Sequence, residues 1–184
     1  RIKNFLLLRW GIRFLKNSIN MKTKAKKIAV AGATGMVGQA FLRLLENKFL
    51  DAEIVLLASK NSKGKKVNFR KRDYVIEDLA EYDFSDTDLA LFSAGASVSE
   101  VFAPKAVSQG CVVVDNSSCF RYQDNIPLIV PEVNGNKIQE YKLPGIIANP
   151  NCSTIQMLVA LKPIHDEFII KRIDVTTLQA VSGT

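Results

Sequence analysis

Apolar residues gather in four short runs along the chain, each closed by small, polar or glycine residues. The runs are KIAVA at 27–31, EIVLLAS at 53–59, DLALFSAG at 88–95 and CVVVDNSS at 111–118. They have the length of strands but no polar face. A strand apolar on both sides must be covered on both sides, as in a parallel sheet between two helix layers. The stretches between them agree. QAFLRLLENK at 39–48 sets Phe41, Leu42, Leu44 and Leu45 on one helical stripe, and VSEVFAPKAVSQG at 98–110 reads as a second helix. The alternation predicts an α/β fold built on a doubly wound parallel sheet.

The remaining segments are less regular. KNSKGKKVNFRKRDY at 60–74 reads as a basic loop. From residue 125 onward Pro127, Pro131, Pro144 and Pro150 break the chain into short apolar pieces, a connector that ends at Cys152. Residues 153–168 read as a helix interrupted or restarted at Pro163, and IKRIDVTTLQAVSGT at 170–184 alternates like a strand with one exposed face. The expected organisation is a nucleotide-binding domain over 21–150, followed over 151–184 by the start of a second, α+β domain that the chain enters without completing. Residues 1–20 are expected to be an upstream extension preceding a start at Met21, although their cationic, acid-free, apolar character also suits a targeting presequence or an interfacial helix.

Charge changes this picture little. The net charge of +7 arises from 25 basic and 18 acidic residues, but five of the basic ones lie in residues 1–20, where there is no acid. The rest of the chain is nearly neutral, which argues against a nucleic-acid partner. No apolar run approaches the roughly 18 residues of a membrane span, so no membrane partner is expected. Three widely spaced cysteines suit a reducing compartment better than a disulfide framework, and the expected location is cytoplasmic.

Chemistry concentrates at the ends of the predicted strands. GATGMVG places Gly32, Gly35 and Gly38 three apart between a strand and a helix, where glycine lets the backbone approach a diphosphate at the helix N-terminus. That spacing alone also suits a plain tight turn. An acid at the end of the second strand would hold a ribose 2'-hydroxyl and repel a 2'-phosphate. Here ASKNSKGKK offers Ser59, Asn61, Ser62 and four lysines instead, which favours NADP over NAD, with a solvated basic loop as the bland alternative. FSAGAS, containing Gly95, and DNSSCFR, containing Asn116 and Arg121, close two further strands, and the arginine is able to clamp an anion. In NPNCSTIQM, Cys152 stands at a helix start, where unpaired N–H groups favour a thiolate nucleophile. Pro150 fixes the approach, and Asn151 supplies an amide to orient an acyl group. Cys111, opening an apolar run, reads as core. A cysteine nucleophile beside a nicotinamide site implies an acyl thioester that gains or loses a hydride.

Taken together, GATGMVG, ASKNSKGK, FSAGAS, DNSSCFR, VPEVN, NPNCSTIQ and QAVSGT resemble, in order and spacing, the bacterial form of the aspartate-semialdehyde dehydrogenase family across residues 26–184. NPNCST differs from the cysteine motifs of glyceraldehyde-phosphate and N-acetylglutamyl-phosphate reductases. The resemblance implies a Rossmann-like NADP-binding domain, the start of a catalytic and dimerisation domain, and interconversion of aspartyl phosphate and aspartate semialdehyde on the route to lysine, threonine and methionine. It implies a small-molecule substrate, phosphate as co-substrate, no metal, and a homo-oligomer, dimer or tetramer, for the full-length form. By motif, Cys152 matches the nucleophile, Gln179 the residue orienting the substrate, and Arg121 with Asn116 the phosphate site. Thr34, Gly35, Met36, Val37, Asn61, Ser62, Ser182 and Gly183 match the cofactor lining. Two departures stand out. Asn61 occupies a position where many members carry arginine, leaving Lys60, Lys63 and Lys65 as substitutes. The family's acid/base histidine and substrate-carboxylate arginine lie beyond residue 184, and His165, about 20 Å along a helix from Cys152, cannot replace the former. The competing readings are a non-catalytic NADP-binding module, which the glycine turn and the basic loop fit equally, and a related acyl-phosphate reductase such as N-acetylglutamyl-phosphate reductase.

Overall fold

Seven strands form one sheet in the order β3-β4-β2-β1-β5-β6-β7; the structure, a computed structural model, describes residues 25–178. The strands are β1 (Lys27–Ala31), β2 (Glu53–Ala58), β3 (Lys66–Phe69), β4 (Arg72–Asp78), β5 (Leu89–Phe92), β6 (Val112–Asp115) and β7 (Ile146–Ala148). The helices are α1 (Met36–Lys48), α2 (Ala96–Ser108), the short α3 (Pro131–Asn134) and α4 (Cys152–Phe168). Every pairing is parallel except β3 with β4.

The four apolar runs are the sheet's interior, and alternate residues within them serve opposite layers. Ile28, Val30, Ile54, Leu56, Leu89 and Leu91 pack with Phe41, Leu42, Leu44 and Leu45 of α1. Ala29, Ala31, Val55, Leu57, Ala90, Phe92 and Val113 pack on the other side with Ala103 and Ala106 of α2. Helix α1 has no side-chain N-cap, so burial of its apolar stripe, at roughly 1.5–3 kcal/mol for each large side chain, is what holds it. This is the doubly wound arrangement, with an antiparallel strand added at one edge.

Four segments depart from expectation. The basic stretch 60–74 holds a short 3-10 turn at Lys60–Ser62 and then the β3–β4 hairpin, turned by Arg70 and Lys71 at φ 52° and 59°. The proline-rich connector contains α3 and the strand β7, which completes the sheet beside β6. Helix α4 runs unbroken through Pro163; a proline removes one hydrogen bond and crowds one carbonyl, and a helix of this length tolerates it where the surface is exposed. Residues 170–178 form no strand, because among the described residues nothing pairs with them and an unpaired strand has no ladder. Residues 1–20 and Met21 lie outside the described residues. Among those described, no helix is long and apolar enough to cross a membrane.

The chain winds outward from β1 to β2, β4 and β3, then returns to place β5 on the opposite side of β1 and continues to β6 and β7. The winding therefore reverses between β1 and β5. In open α/β sheets the crevice beyond the carboxyl ends of the strands at such a reversal is where ligands bind.

Candidate functional site

The loops leaving β1, β2, β5, β6 and β7 at their carboxyl ends carry nearly all the residues singled out by sequence. In the β1–α1 turn, Thr34, Gly35 and Met36 are exposed, Val37 is half-buried and Gly38 is buried. The three glycines stand there for different reasons. Gly32 has φ 85°, and a Cβ on it would lie 2.3 Å from Ser93 O, in the loop after β5. A Cβ on Gly38 would lie 2.2 Å from Gly32 O, so helix and turn approach more closely than any side chain permits. Gly35 has φ −76° and its Cβ would sit 3.4 Å from Gly32 O; the fold alone does not demand glycine there. The first turn of α1 carries neither a side-chain cap nor an acid, so its N–H groups, which lack intrahelical acceptors, face an uncovered helix end.

Beyond β2, Ser59 and Asn61 are exposed and Ser62 half-buried on the 3-10 turn. Of the nearby lysines, Lys63 is ion-paired with Glu81, and its ammonium pKa is raised chiefly by that hydrogen bond. Lys60 and Lys65 form no ion pair among the described residues. Gly95, at φ 92°, precedes α2 at the end of β5.

At the ends of β6 and β7 a hydrogen-bonded cluster forms. Arg121 donates from Nε to Asn149 O at 3.0 Å and from Nη2 to Asn116 O at 3.1 Å. Asn149 Nδ2 donates to Asn116 Oδ1 at 2.5 Å. Below them Asp115 is fully buried, its two carboxylate oxygens accepting from Ser99 Oγ and Ser117 Oγ, each at 2.6 Å. Because the Nε and Nη2 edge of Arg121 is occupied, the guanidinium offers an anion its far edge, Nη1 with the remaining hydrogen of Nη2, rather than its whole fork.

Cys152 follows three residues after Asn149 and opens α4, exposed. Asn151 is the cap: its Oδ1 accepts from Ser153 N at 3.0 Å and from Ser153 Oγ at 2.6 Å, a contribution of about 1 kcal/mol to the helix. Its carbonyl oxygen is thereby committed, leaving the Nδ2 donor to face outward chemistry. The other thiols are less available. Burial, with a smaller effect from Asp88, pushes Cys111 up to about 12. Cys119, half-buried, is raised by burial and by Glu100 and Asp115. His165 lies at the opposite end of α4 from Cys152, and its carbonyl caps that end by accepting from Ile169 N at 2.8 Å. Among the described residues no group of three or more His, Cys, Asp or Glu is placed to hold a metal.

The structure thus brings Thr34–Gly38, Ser59, Asn61, Ser62, Gly95, Asn116, Arg121, Asn151 and Cys152 to one edge of the sheet. Gln179, Ser182 and Gly183 lie outside the described residues. Sequence reasoning passed over Asn149 and Asp115, although both stand inside the motifs NPNC and DNSS. The partner of Asn149 is 33 residues distant and comes to it through the adjacency of β6 and β7, whereas Asp115 is held by Ser117, two residues on, and by Ser99 of α2.

Comparison with known proteins adds independent findings. The family described as "Semialdehyde dehydrogenase, NAD binding domain" matches residues 27–141, more than half of the chain. Aspartate-semialdehyde dehydrogenase of Legionella pneumophila is 58% identical over 158 residues, a match covering 85% of this chain and 46% of that protein. The crystal structure of aspartate semialdehyde dehydrogenase II from Vibrio cholerae is similar with a TM-score of 0.81 at 49% identity, covering 88% of this chain and 48% of that one. The Candida albicans enzyme, solved with NADP, is similar with a TM-score of 0.67 at 31% identity, covering 79% of this chain and 48% of that one. The chain spans about half the length of the curated relatives it matches.

Proposed function

The chain belongs to the semialdehyde dehydrogenase family, and we propose that it is the nucleotide-binding portion, with the nucleophile, of an NADP-dependent aspartate-semialdehyde dehydrogenase. The observation that supports this reading is an exposed Cys152 at the start of α4, three residues after Asn149, whose carbonyl holds Arg121, and at the same carboxyl ends of the strands as the glycine turn.

NADP fits the residues present. The uncapped start of α1, with Thr34, Gly35, Met36 and Val37, receives the diphosphate, and the absence of a steric need for glycine at position 35 is consistent with close approach of a ligand there. Ser59, Asn61, Ser62 and Lys60, with no acid among them, receive the 2'-phosphate end; Lys63 contributes less because Glu81 holds it. Gly95 and, by the family motif, Ser182 and Gly183 would complete the lining of the cofactor. When bound, NADP supplies the hydride donor or acceptor.

Cys152 Sγ attacks the acyl carbon of aspartyl phosphate. A C–S bond forms, the C–O bond to phosphate breaks, and the departing phosphate meets the free edge of Arg121 beside Asn116. Asn151 Nδ2 and Gln179 orient the acyl group during this step. The domain boundary falls near residue 150, so that β7 ends the nucleotide-binding unit and α4 begins the catalytic one. The full-length protein is a cytoplasmic homo-oligomer acting in lysine, threonine and methionine biosynthesis.

The experiment is NADPH absorbance on mixing the full-length protein with aspartate semialdehyde, phosphate and NADP. Turnover lost in Cys152→Ser is expected. An inactive parent protein, or a Cys152→Ser variant of parental rate, overturns the reading.

A further inference from the structure

The parallel ladder between β6 and β7 ends at the pair Asp115 and Ala148. Asn116 and Asn149 are the next residues on each strand, where two chains without further pairing diverge toward their separate loops. Here they are tied once more, by the side-chain amide of Asn149, which donates to the amide oxygen of Asn116 at 2.5 Å. The backbone on either side is pinned as well: Asn149 N donates to Asp115 O at 2.8 Å, and Asn116 N to Phe92 O at 2.9 Å. The side-chain bridge extends the pairing by one residue, and the two carbonyls it keeps adjacent are the two that hold Arg121.

We propose that Asn149 is a positioning residue: through its bridge to Asn116 it fixes the paired carbonyls that aim the free edge of Arg121 at a phosphate. This inference rests on the reading of Arg121 as the phosphate contact and extends it to a residue that does not itself touch the anion. An arginine has five N–H donors in a rigid fork. With two of them spent on carbonyls, the direction of the rest depends on where those carbonyls stand. Loss of the bridge leaves these backbone bonds in place but removes the side-chain tie that keeps the Asn116 and Asn149 carbonyls in register, so the guanidinium samples orientations in which its remaining donors miss the anion. The buried Asp115, held by Ser99 and Ser117, keeps the base of β6 fixed whether or not the bridge is present, which confines the expected effect to the anion site.

The test uses the full-length protein with Asn149→Ala, Asn116→Ala and the double variant. Each single change should raise the KM for phosphate about five- to tenfold. The double variant should be no worse than either single, because both remove one shared contact. For Asn149→Ala, the kcat at saturating phosphate, the KM for NADP and the unfolding midpoint should stay close to parental. Effects that multiply in the double variant, or a fall in kcat at unchanged phosphate KM, overturn the proposal. The same order is read without turnover from the phosphate concentration that half-maximally alters iodoacetamide alkylation of Cys152. If the parent turns over and the variants keep its phosphate half-saturation, the positioning role alone fails. If the parent does not turn over yet phosphate modulates Cys152 and the variants shift that dependence, the enzymatic reading fails and the positioning role stands. A parent that does not turn over and whose Cys152 is indifferent to phosphate overturns both.

Discussion

Replacing Arg70 by alanine should cost the fold about 2–3 kcal/mol, although the residue lies in a hairpin turn far from the predicted core. Its guanidinium reaches across to the end of α1 and donates to Leu45 O at 2.8 Å, Phe49 O at 2.5 Å, Ala52 O at 3.1 Å and Leu50 O at 3.4 Å. Leu45 O lies in the last turn of α1, where it also accepts from Phe49 N at 3.3 Å, and the other three carbonyls follow the helix end, so the guanidinium stands at the negative end of the helix dipole. A cation in a partly buried site of this kind contributes up to ~2 kcal/mol. The guanidinium also lies 4.9 Å from the centre of the Phe69 ring, worth about 0.5–1 kcal/mol. The four bonds do not add, because water reaches the carbonyls once the side chain is gone. The matched control is Lys71→Ala. Lys71 has nearly the same left-handed backbone, φ 59° against 52°, and is exposed, so both variants place a Cβ in equal strain and differ only in the side-chain contacts removed. Urea unfolding of the two variants and the parent decides the matter. With an m-value of about 2 kcal/mol/M, Arg70→Ala should lower the midpoint by about 1 M and Lys71→Ala by a small fraction of that. Equal midpoints for the two variants would refute the reasoning.

Gly38→Ala should destabilise by about 3 kcal/mol, since its Cβ meets the Gly32 carbonyl at 2.2 Å, while Gly35→Ala should keep parental thermal stability and lose NADPH affinity in titration calorimetry. Iodoacetamide followed by peptide mass mapping should label Cys152 first and Cys119 more slowly. It should leave Cys111 unlabelled in the folded state, because a thiol pushed up to about 12 has only about one thiolate in ten thousand at pH 8; early labelling of Cys111 would contradict the assignment. NADPH should bind more tightly than NADH by calorimetry, and Lys60→Glu should narrow that preference; equal affinities in the parent would remove the argument from the acid-free end of β2. A protein limited to residues 21–184 should form NADPH at least about 10² more slowly than the full-length form, because its sole histidine stands at the wrong end of α4 to serve Cys152 as acid or base.

The buried centre of the sheet was legible because β1, β2, β5 and β6 are covered on both faces, and double coverage writes itself as unbroken apolar sequence. The outer strands obey other constraints. β4, RDYVIED, shows only part of itself to the core, so charge masks its pattern, and the hairpin turn at Arg70 and Lys71 carries none of the Gly, Asn or Asp that usually betrays one. β7 is three residues long and sits between prolines, too short to show a period. The alternation in 170–178 was real, but alternation becomes a strand only where a neighbour supplies the ladder. At the site, residues whose roles are local, such as the glycines of the turn and Cys152 at its helix start, were readable from the motif. Asn149 was not, because what it does depends on which strand ends up beside it, and Asp115 was not, because one of its partners, Ser99, reaches it from α2.

The two rims of the sheet decide how molecules of this protein meet one another. Among the described residues β3 is an outermost strand of four residues carrying Lys66 and Asn68 outward, and a charged, very short border is a poor template for a strand from another copy. At the opposite rim β7 is flanked by residues 127–129, whose backbone bonds to Ala148 on both sides, N–H to Pro127 O at 2.9 Å and carbonyl from Ile129 N at 3.1 Å. Growth of the sheet from molecule to molecule is therefore blocked at both ends. Among the apolar side chains left facing water are several at the end of α4 and beyond it, Phe168, Val175 and Leu178 at 77%, 64% and 92% exposure. Self-association of these residues alone proceeds through greasy side-chain contacts, which mild detergent disperses, and does not yield thioflavin-binding fibrils.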